Sequence, residues 1–541
     1  MNLFNSIRVP RLRRNTFNLS HEFKFSGSFG KLMPILCQEV VPGDTFRVNS
    51  EVFVRMSPMI APIMHRVNVY VHFFFVPTRL VWPEWEDFIT GGEDGTDTPV
   101  SPYFSIPGDY ESLTTEVLQQ GGLADFLGIP VPTQNWTPTA GAVFEFSCLP
   151  FRVYWKIWRD YYMDENLQPE YADVIDNWCS GDSASGNDSS WQAPFLMALA
   201  NRCWEKDYFT SALPWAQRGD SVTLPMTGNA DVNFINPGTP SVVHNIDGST
   251  PSSGAYVGAP GGVLGTMETG GANYKQASID NSANLEVDLS NVNSATINEL
   301  RRAIKAQEWL ERSATAGARY IEQILAHFGV RSSDARLQRA QYLGGGVSPL
   351  RVSEVLQTSS TTGEPSPLGD MGGHAYSVGN TNRFKRFFEE HGYIMGIMSI
   401  LPRSSYQQGL PRMFSRQDKF DYFWPEFAHI GEQEVKEKEL WFRGVNDIDE
   451  QTFGYQSRYA EYKTAPSRVA GAFRDTLNFW HAGRIFASLP TLDESFVQCS
   501  PDQFKRLFAT EDLGIDEQFY CEVLHNIRAR RPMPRFGTPS F

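Results

Sequence analysis

The chain has 541 residues, of which 41% are hydrophobic, 20% charged and 13% aromatic, the balance of a large folded protein and not of a disordered or fibrous one. Forty-seven Lys and Arg against 62 Asp and Glu leave a net charge of -15, which excludes a simple polycation built to coat nucleic acid; any contact with DNA or RNA has to be local. No apolar run approaches the roughly 18 residues that a membrane-spanning helix needs, and the basic start lacks the apolar stretch of a secretory signal, so synthesis in a cytoplasm without membrane insertion is expected.

The N-terminal segment, taken as residues 1–22, places Arg8, Arg11, Arg13 and Arg14 in fourteen residues that hold no Asp or Glu. That composition suits an arm that pairs with phosphate. The GSFGKL that follows has the wrong spacing for a phosphate-cradling loop and no Ser or Thr after its Lys. From Thr45 to Val76 the pattern is strand: Phe46 and Val48 alternate with polar residues, and Val67, Val69, Val71, Phe73 and Phe75 mark one face of a second strand. The opposite face, with Tyr70 and Phe74, is also apolar, which predicts a strand covered on both sides within a sandwich or barrel. Tyr154, Trp155, Trp158, Tyr161 and Tyr162 keep helical spacing beside Arg152, Lys156 and Arg159, and predict a helix packed on the sheet rather than a base-stacking platform.

Residues 23–218 thus read as the first part of a β scaffold with helical insertions. Residues 219–293 hold 11 of the 44 glycines, seven acids and the single basic residue Lys275, and read as an exposed loop module with short strands in preference to a flexible linker. Thr296 and Glu299 have capping-box spacing and open a helix expected to run to Gly329, weakened at Gly317. Further strands are expected at Tyr393 to Leu401, Glu439 to Arg443, Arg484 to Leu489 and Ser495 to Cys499, so that 294–521 carries the helical insertion and the remaining strands. The segment 522–541 contains Arg528, Arg530, Arg531 and Arg535, has no acid after Glu522, and is interrupted by Pro532 and Pro534; it reads as a second basic tail.

No enzyme site emerges. HExxH is absent, the six cysteines have no CxxC spacing and are expected to be reduced and mostly buried, and GDSASG misses the nucleophile-elbow pattern. The acids Glu389, Glu390, Asp447 and Asp449 and the scattered histidines assemble into no triad or metal face, so no catalytic residue, metal or cofactor is expected. A carbohydrate-binding or glycan-cleaving all-β protein is the alternative that aromatic platforms and Gly/Asn-rich loops keep open.

WEKDYFTSALPWAQRG, from Trp204 to Gly219, closely resembles a motif of the major capsid proteins of the gokushovirus group of Microviridae, small single-stranded DNA bacteriophages. FNLSHEFKFSGSFGKLMPILCQEVVPGDTFRV, RLQRAQYLGGG, HGYIMGIMSILP and GYQSRYAEYK resemble that family too and keep its order, so the likeness spans nearly the whole chain. The resemblance implies a mainly β fold, an eight-stranded antiparallel viral jelly-roll barrel with long helical and loop insertions. It also implies a structural protein of the virion, assembled as sixty copies into a T=1 icosahedral shell around a circular single-stranded DNA genome. On that reading the partners are other copies of the chain, the packaged DNA, other virion or scaffolding proteins and a host-cell surface receptor. Residues 219–293 would form a protrusion near the three-fold axes used in host attachment. The eight arginines Arg8, Arg11, Arg13, Arg14, Arg528, Arg530, Arg531 and Arg535 are the expected DNA contacts, facing inward from the two basic ends.

Overall fold

Alternation of apolar and polar residues lays down most of the scaffold. The computed structural model describes residues 14–92, 94, 96–107, 118–131, 143–169, 197–219, 297–316, 338–358, 369–510 and 517–536, with six short strands between 231 and 288. Ten strands form two antiparallel sheets: β1 (Asn15–Asn18), β2 (His21–Gly27), β3 (Met33–Val40), β4 (Thr45–Met56), β5 (Val67–Pro77), β6 (Gln341–Pro349), β7 (Arg351–Leu356), β8 (Met371–Phe387), β9 (Gly392–Pro402) and β10 (Phe519–Arg531). The first sheet runs β1–β10–β4–β8–β7, with β2 pairing β10 alongside β1; the second runs β6–β5–β9–β3. The chain is mainly β, as expected.

Strand β4, TFRVNSEVFVRM, buries every second residue along its whole length, so Phe46, Val48, Val52 and Val54 face inward while Arg47, Glu51 and Arg55 face out. The inner faces of the two sheets meet through rings. Phe388 lies 5.9 Å from Phe46 of the first sheet and 4.7 Å from Phe75 of the second, and Phe73 lies 5.2 Å from Phe384. These contacts fix face-to-face packing.

The other face of β5 is covered as well. Helix α1 (Leu149–Ile157) continues into a wider π turn over Trp158–Tyr162, and its rings press on the second sheet: Phe74 is 4.7 Å from Tyr161, and His72 Nδ1 is 2.8 Å from the Tyr162 hydroxyl. Tyr154 is fully buried and donates to the carbonyl of Leu32. The double burial expected of β5 therefore comes from the aromatic helix. Gly30 explains the Gly pattern of GSFGKL: it sits at φ +73°, and a Cβ there would fall 2.0 Å from the carbonyl oxygen of Cys499.

Three of the later strand expectations are corrected. Glu439 to Arg443 begins inside the short helix Glu437–Leu440, and Ser495 to Cys499 lies largely in the helix Glu494–Val497, started by the Asp493 carboxylate accepting from the Phe496 amide. Arg484 to Leu489 forms no strand. The expected C-terminal tail is corrected too: through Arg531 it is β10, because Cys521, Val523, Ile527 and Ala529 recur at every second position and are buried. At the other end, β1 and β2 occupy part of the expected arm, and residues 1–13 lie outside the described residues.

Residues 217–313 form a second compact unit. It contains a four-stranded sheet in the order Tyr256–Gly258, Gly265–Met267, Tyr274–Ile279, Val243–Asn245, and a pair of Leu285–Asp288 with Asp231–Phe234. Most of helix α2 (Ile297–Ala316) belongs to it, so the insertion reaches past 293. Thr296 and the stretch from Gly317 to Gly329 lie outside the described residues.

Candidate nucleic-acid interface

The expected DNA contacts fall into different environments. Arg8, Arg11 and Arg13 lie outside the described residues. Arg14 is exposed, its guanidinium 5.4 Å from the centre of the Phe387 ring. Arg528 and Arg530 alternate with the buried Ile527 and Ala529, so both project from the exposed face of the first sheet. Arg531 points the other way: its Nε lies 3.2 Å from Oδ2 of the buried Asp44, and it donates to the carbonyl of Glu39. Arg535 is exposed past the end of β10.

Strand register adds cations that the sequence keeps far apart. Arg528 is the direct cross-strand partner of Arg47 on β4, and Arg47 is in turn the partner of Lys385 on β8. One position to one side, Arg530 faces Thr45, which faces Phe387; one position to the other, Asn526 faces Asn49, which faces Arg383. Strand β1 extends the rows with Thr16 opposite Arg530 and Asn18 opposite Arg528. The result is a patch of Arg47, Arg383, Lys385, Arg528 and Arg530 set among Thr and Asn, with the half-exposed Phe387 ring at its margin and no acid in these rows.

Like charges directly opposite one another on a sheet repel. Among the described residues, none of the five cations has a carboxylate partner. The contrast with the rest of the same face is clear, since two strand positions further along Lys24 bridges Glu22 and Glu522. With neighbouring strands about 4.8 Å apart, the Arg528–Arg47–Lys385 row spans roughly 10 Å. A line of unneutralised cations at that spacing, with amides, hydroxyls and a ring beside it, matches the chemistry of a flexible polyanion carrying bases.

Other sequence candidates are structural. Arg152 and Lys156 are buried; Arg152 donates to the carbonyl of Val81 and Lys156 pairs with Asp160 at 3.1 Å. Glu390 pairs with Arg79 at 2.6 Å, and buried Asp449 accepts from the Arg443 amide. GDSASG lies outside the described residues. Among the described residues, no group of three or more His, Cys, Asp and Glu is placed to hold a metal ion, and no helix is long and apolar enough to cross a membrane.

A family model described as "Capsid protein (F protein)" matches residues 5–541. The chain is 34% identical to capsid protein VP1 of Chlamydia phage 1, 35% to capsid protein VP1 of Bdellovibrio phage phiMH2K and 32% to capsid protein VP1 of Spiroplasma virus 4. Each alignment covers 99% of this chain and 97% of the relative.

Proposed function

The chain belongs to the Capsid protein (F protein) family, and from that premise we propose a T=1 shell of sixty copies enclosing a circular single-stranded DNA genome. It is a major capsid protein of the single-stranded DNA phage type, a structural component of the virion and not an enzyme. The observation that carries the reading is the match of residues 5–541 to the capsid family and of 99% of the chain to capsid protein VP1 of Chlamydia phage 1.

The finer fold reading is a jelly roll. Counting β1 and β2 as one strand interrupted near Leu19 and Ser20, and β7 as an added edge, leaves eight strands in sheets of order 1–8–3–6 and 2–7–4–5. That interleaving, in which strands from both ends of the chain lie side by side, supports two Greek keys folded into one sandwich.

The unneutralised basic patch supports an inward-facing first sheet that holds the packaged strand, with Arg528, Arg530, Arg47, Arg383 and Lys385 as contacts. Arg14 and Arg535 remain candidates at its margins and Arg8, Arg11 and Arg13 remain candidates from the sequence, whereas Arg531 serves the subunit first. The separate unit at 217–313 supports an outward insertion that meets a host receptor. Other virion or scaffolding proteins would act during assembly.

Mass photometry with negative-stain images of particles from expressing cells tests the shell. Closed particles near sixty times the 61.0-kDa chain mass are expected; a uniform monomer from the same cells would overturn it.

A further inference from the structure

Residues 408–431 cross the surface with no strand and no helix longer than a single 3-10 turn, at Arg412–Phe414, Lys419–Asp421 and Pro425–Phe427. Phe414, Phe420, Tyr422, Phe423, Trp424 and Ile430 are between 46% and 64% exposed. So many large apolar side chains in one short stretch mark a contact surface, because a free chain gains by burying them.

The segment does not fold them away, because it is pinned in place. The Trp424 indole donates to the Lys419 carbonyl at 2.8 Å, Phe423 packs 4.9 Å from Tyr459, and Arg416 stacks 4.3 Å from Tyr462 while pairing with Glu461 at 3.2 Å. A surface already ordered loses little entropy when a partner arrives.

Beside this apron lies a cleft of about 1030 Å³, floored by Tyr208, Phe209 and Tyr406 and rimmed by Phe414, Phe442 and Ile485. Arg412 and Arg416 in its wall are held by Glu439 and Glu461. Arg468 and Arg474 are different: both line the cleft, are exposed and have no carboxylate partner among the described residues. The occupant that fits is therefore apolar and acidic.

The same chain carries such a segment. The short helix Trp85–Thr90 presents Phe88 at 41% and Ile89 at 52% exposure. Exposed Glu84, Asp87, Asp94 and Asp97 surround it, and no Lys or Arg occurs between Val81 and Val100. We propose that the acidic, apolar 84–97 segment of one copy docks into the aromatic, Arg468- and Arg474-lined cleft of the next copy. The contact is head-to-tail, joining two different surfaces of identical chains, the kind that closes into rings when its rotation permits. Aromatic and Arg side chains on one side match the composition of protein interfaces, and the charge match sets register.

The proposal rests on the capsid reading and is tested by charge reversal in the full chain. Asp87→Arg with Asp94→Arg, and separately Arg468→Glu with Arg474→Glu, should each lower particle yield at least tenfold by mass photometry, with the monomer's unfolding temperature unchanged. Combining all four substitutions should restore particles. Wild-type yield in either double variant, or no recovery in the combination, overturns the contact while leaving the shell intact. Failure of the wild-type chain to form particles would instead overturn the shell, and this contact with it. If a double variant fails to fold, Ile89→Cys with Ile485→Cys in otherwise wild-type particles decides. A bis-maleimide ladder exceeding that of either single variant supports the contact, and none overturns it.

Discussion

The carboxylate of Asp44, fully buried just before β4, lies 3.2 Å from Nε of Arg531 at the far end of β10. Burial pushes the Asp44 carboxyl above its usual range, against the Val41 amide and the Arg531 guanidinium, which both favour the charged form. Arg531→Ala removes the cation and leaves a buried acid, so it should lower unfolding free energy by about 3 kcal/mol in denaturant titration. Arg530→Ala, one residue away on the exposed face, should change it by less than about 0.5 kcal/mol. Equal effects would show that the pair is not what holds these strand ends.

The basic row makes a binding prediction with the opposite stability signature. Arg47→Gln, Lys385→Gln and Arg528→Gln together should reduce the salt dependence of single-stranded DNA binding by about 2 in log–log slope, at roughly 0.7 per phosphate contact. The same triple variant should be no less stable than the parent, because it relieves cross-strand repulsion. An unchanged slope would remove this face from the DNA interface.

His525 supplies an acid-sensitive site. It is fully buried, its Nε2 donating to the Ile35 carbonyl and its Nδ1 accepting from the Ser50 hydroxyl, both at 2.8 Å, so the ring is held neutral. Burial lowers its pKa to about 4. Between the ordinary histidine value of about 6.5 and that value, the unfolded chain binds a proton that the folded chain refuses. The site's contribution is complete above the upper value and is lost as pH falls toward the lower one. His525→Gln keeps a donor and an acceptor but does not titrate, so its stability should fall less steeply than the parent's between pH 6.5 and 4. His72, lowered to about 4 by burial and by nearby Arg202, leaves a residual slope in both.

Glu437 works in the other direction. It is buried, its Oε2 has no hydrogen-bond partner among the described residues, and burial raises its pKa to about 7. The folded chain therefore binds the proton more readily than the unfolded one, and stability gained on acidification through pH 7 levels off near pH 4.5. Glu437→Gln should raise the unfolding temperature at pH 8 and leave it unchanged near pH 4.5. A variant equally stabilised at both values would point to packing instead of charge.

Much of the scaffold is legible in the chain because burial imposes a period. The apolar run from Tyr393 to Leu401 marks β9, which runs Gly392–Pro402, and the two-faced apolarity of β5 implies the cover it has on both sides. Five-residue stretches such as Glu439 to Arg443 are too short for a period to separate strand from helix, and a single cap like that of Asp493 decides them. β10 was hidden by its arginines, whose density and trailing prolines read as a tail although the buried residues alternate between them. The basic patch is half visible for a different reason. Arg528 and Arg530 stand close in sequence, but Arg47 and Lys385 join them only through the register of β4 with β10 and β8, which no local pattern encodes.

The position of β10 between β2 and β4 also sets a clock. Residues 21–27 and 45–56 leave the ribosome early, yet the strand that pairs with both is made of residues 519–531. The middle of the first sheet thus stays open through nearly all of translation, with Phe46, Val48, Val52 and Val54 lacking their neighbour, and its closure is a late, long-range step. A nascent chain has no finished basic face, so whatever polyanion that face takes meets only completed subunits.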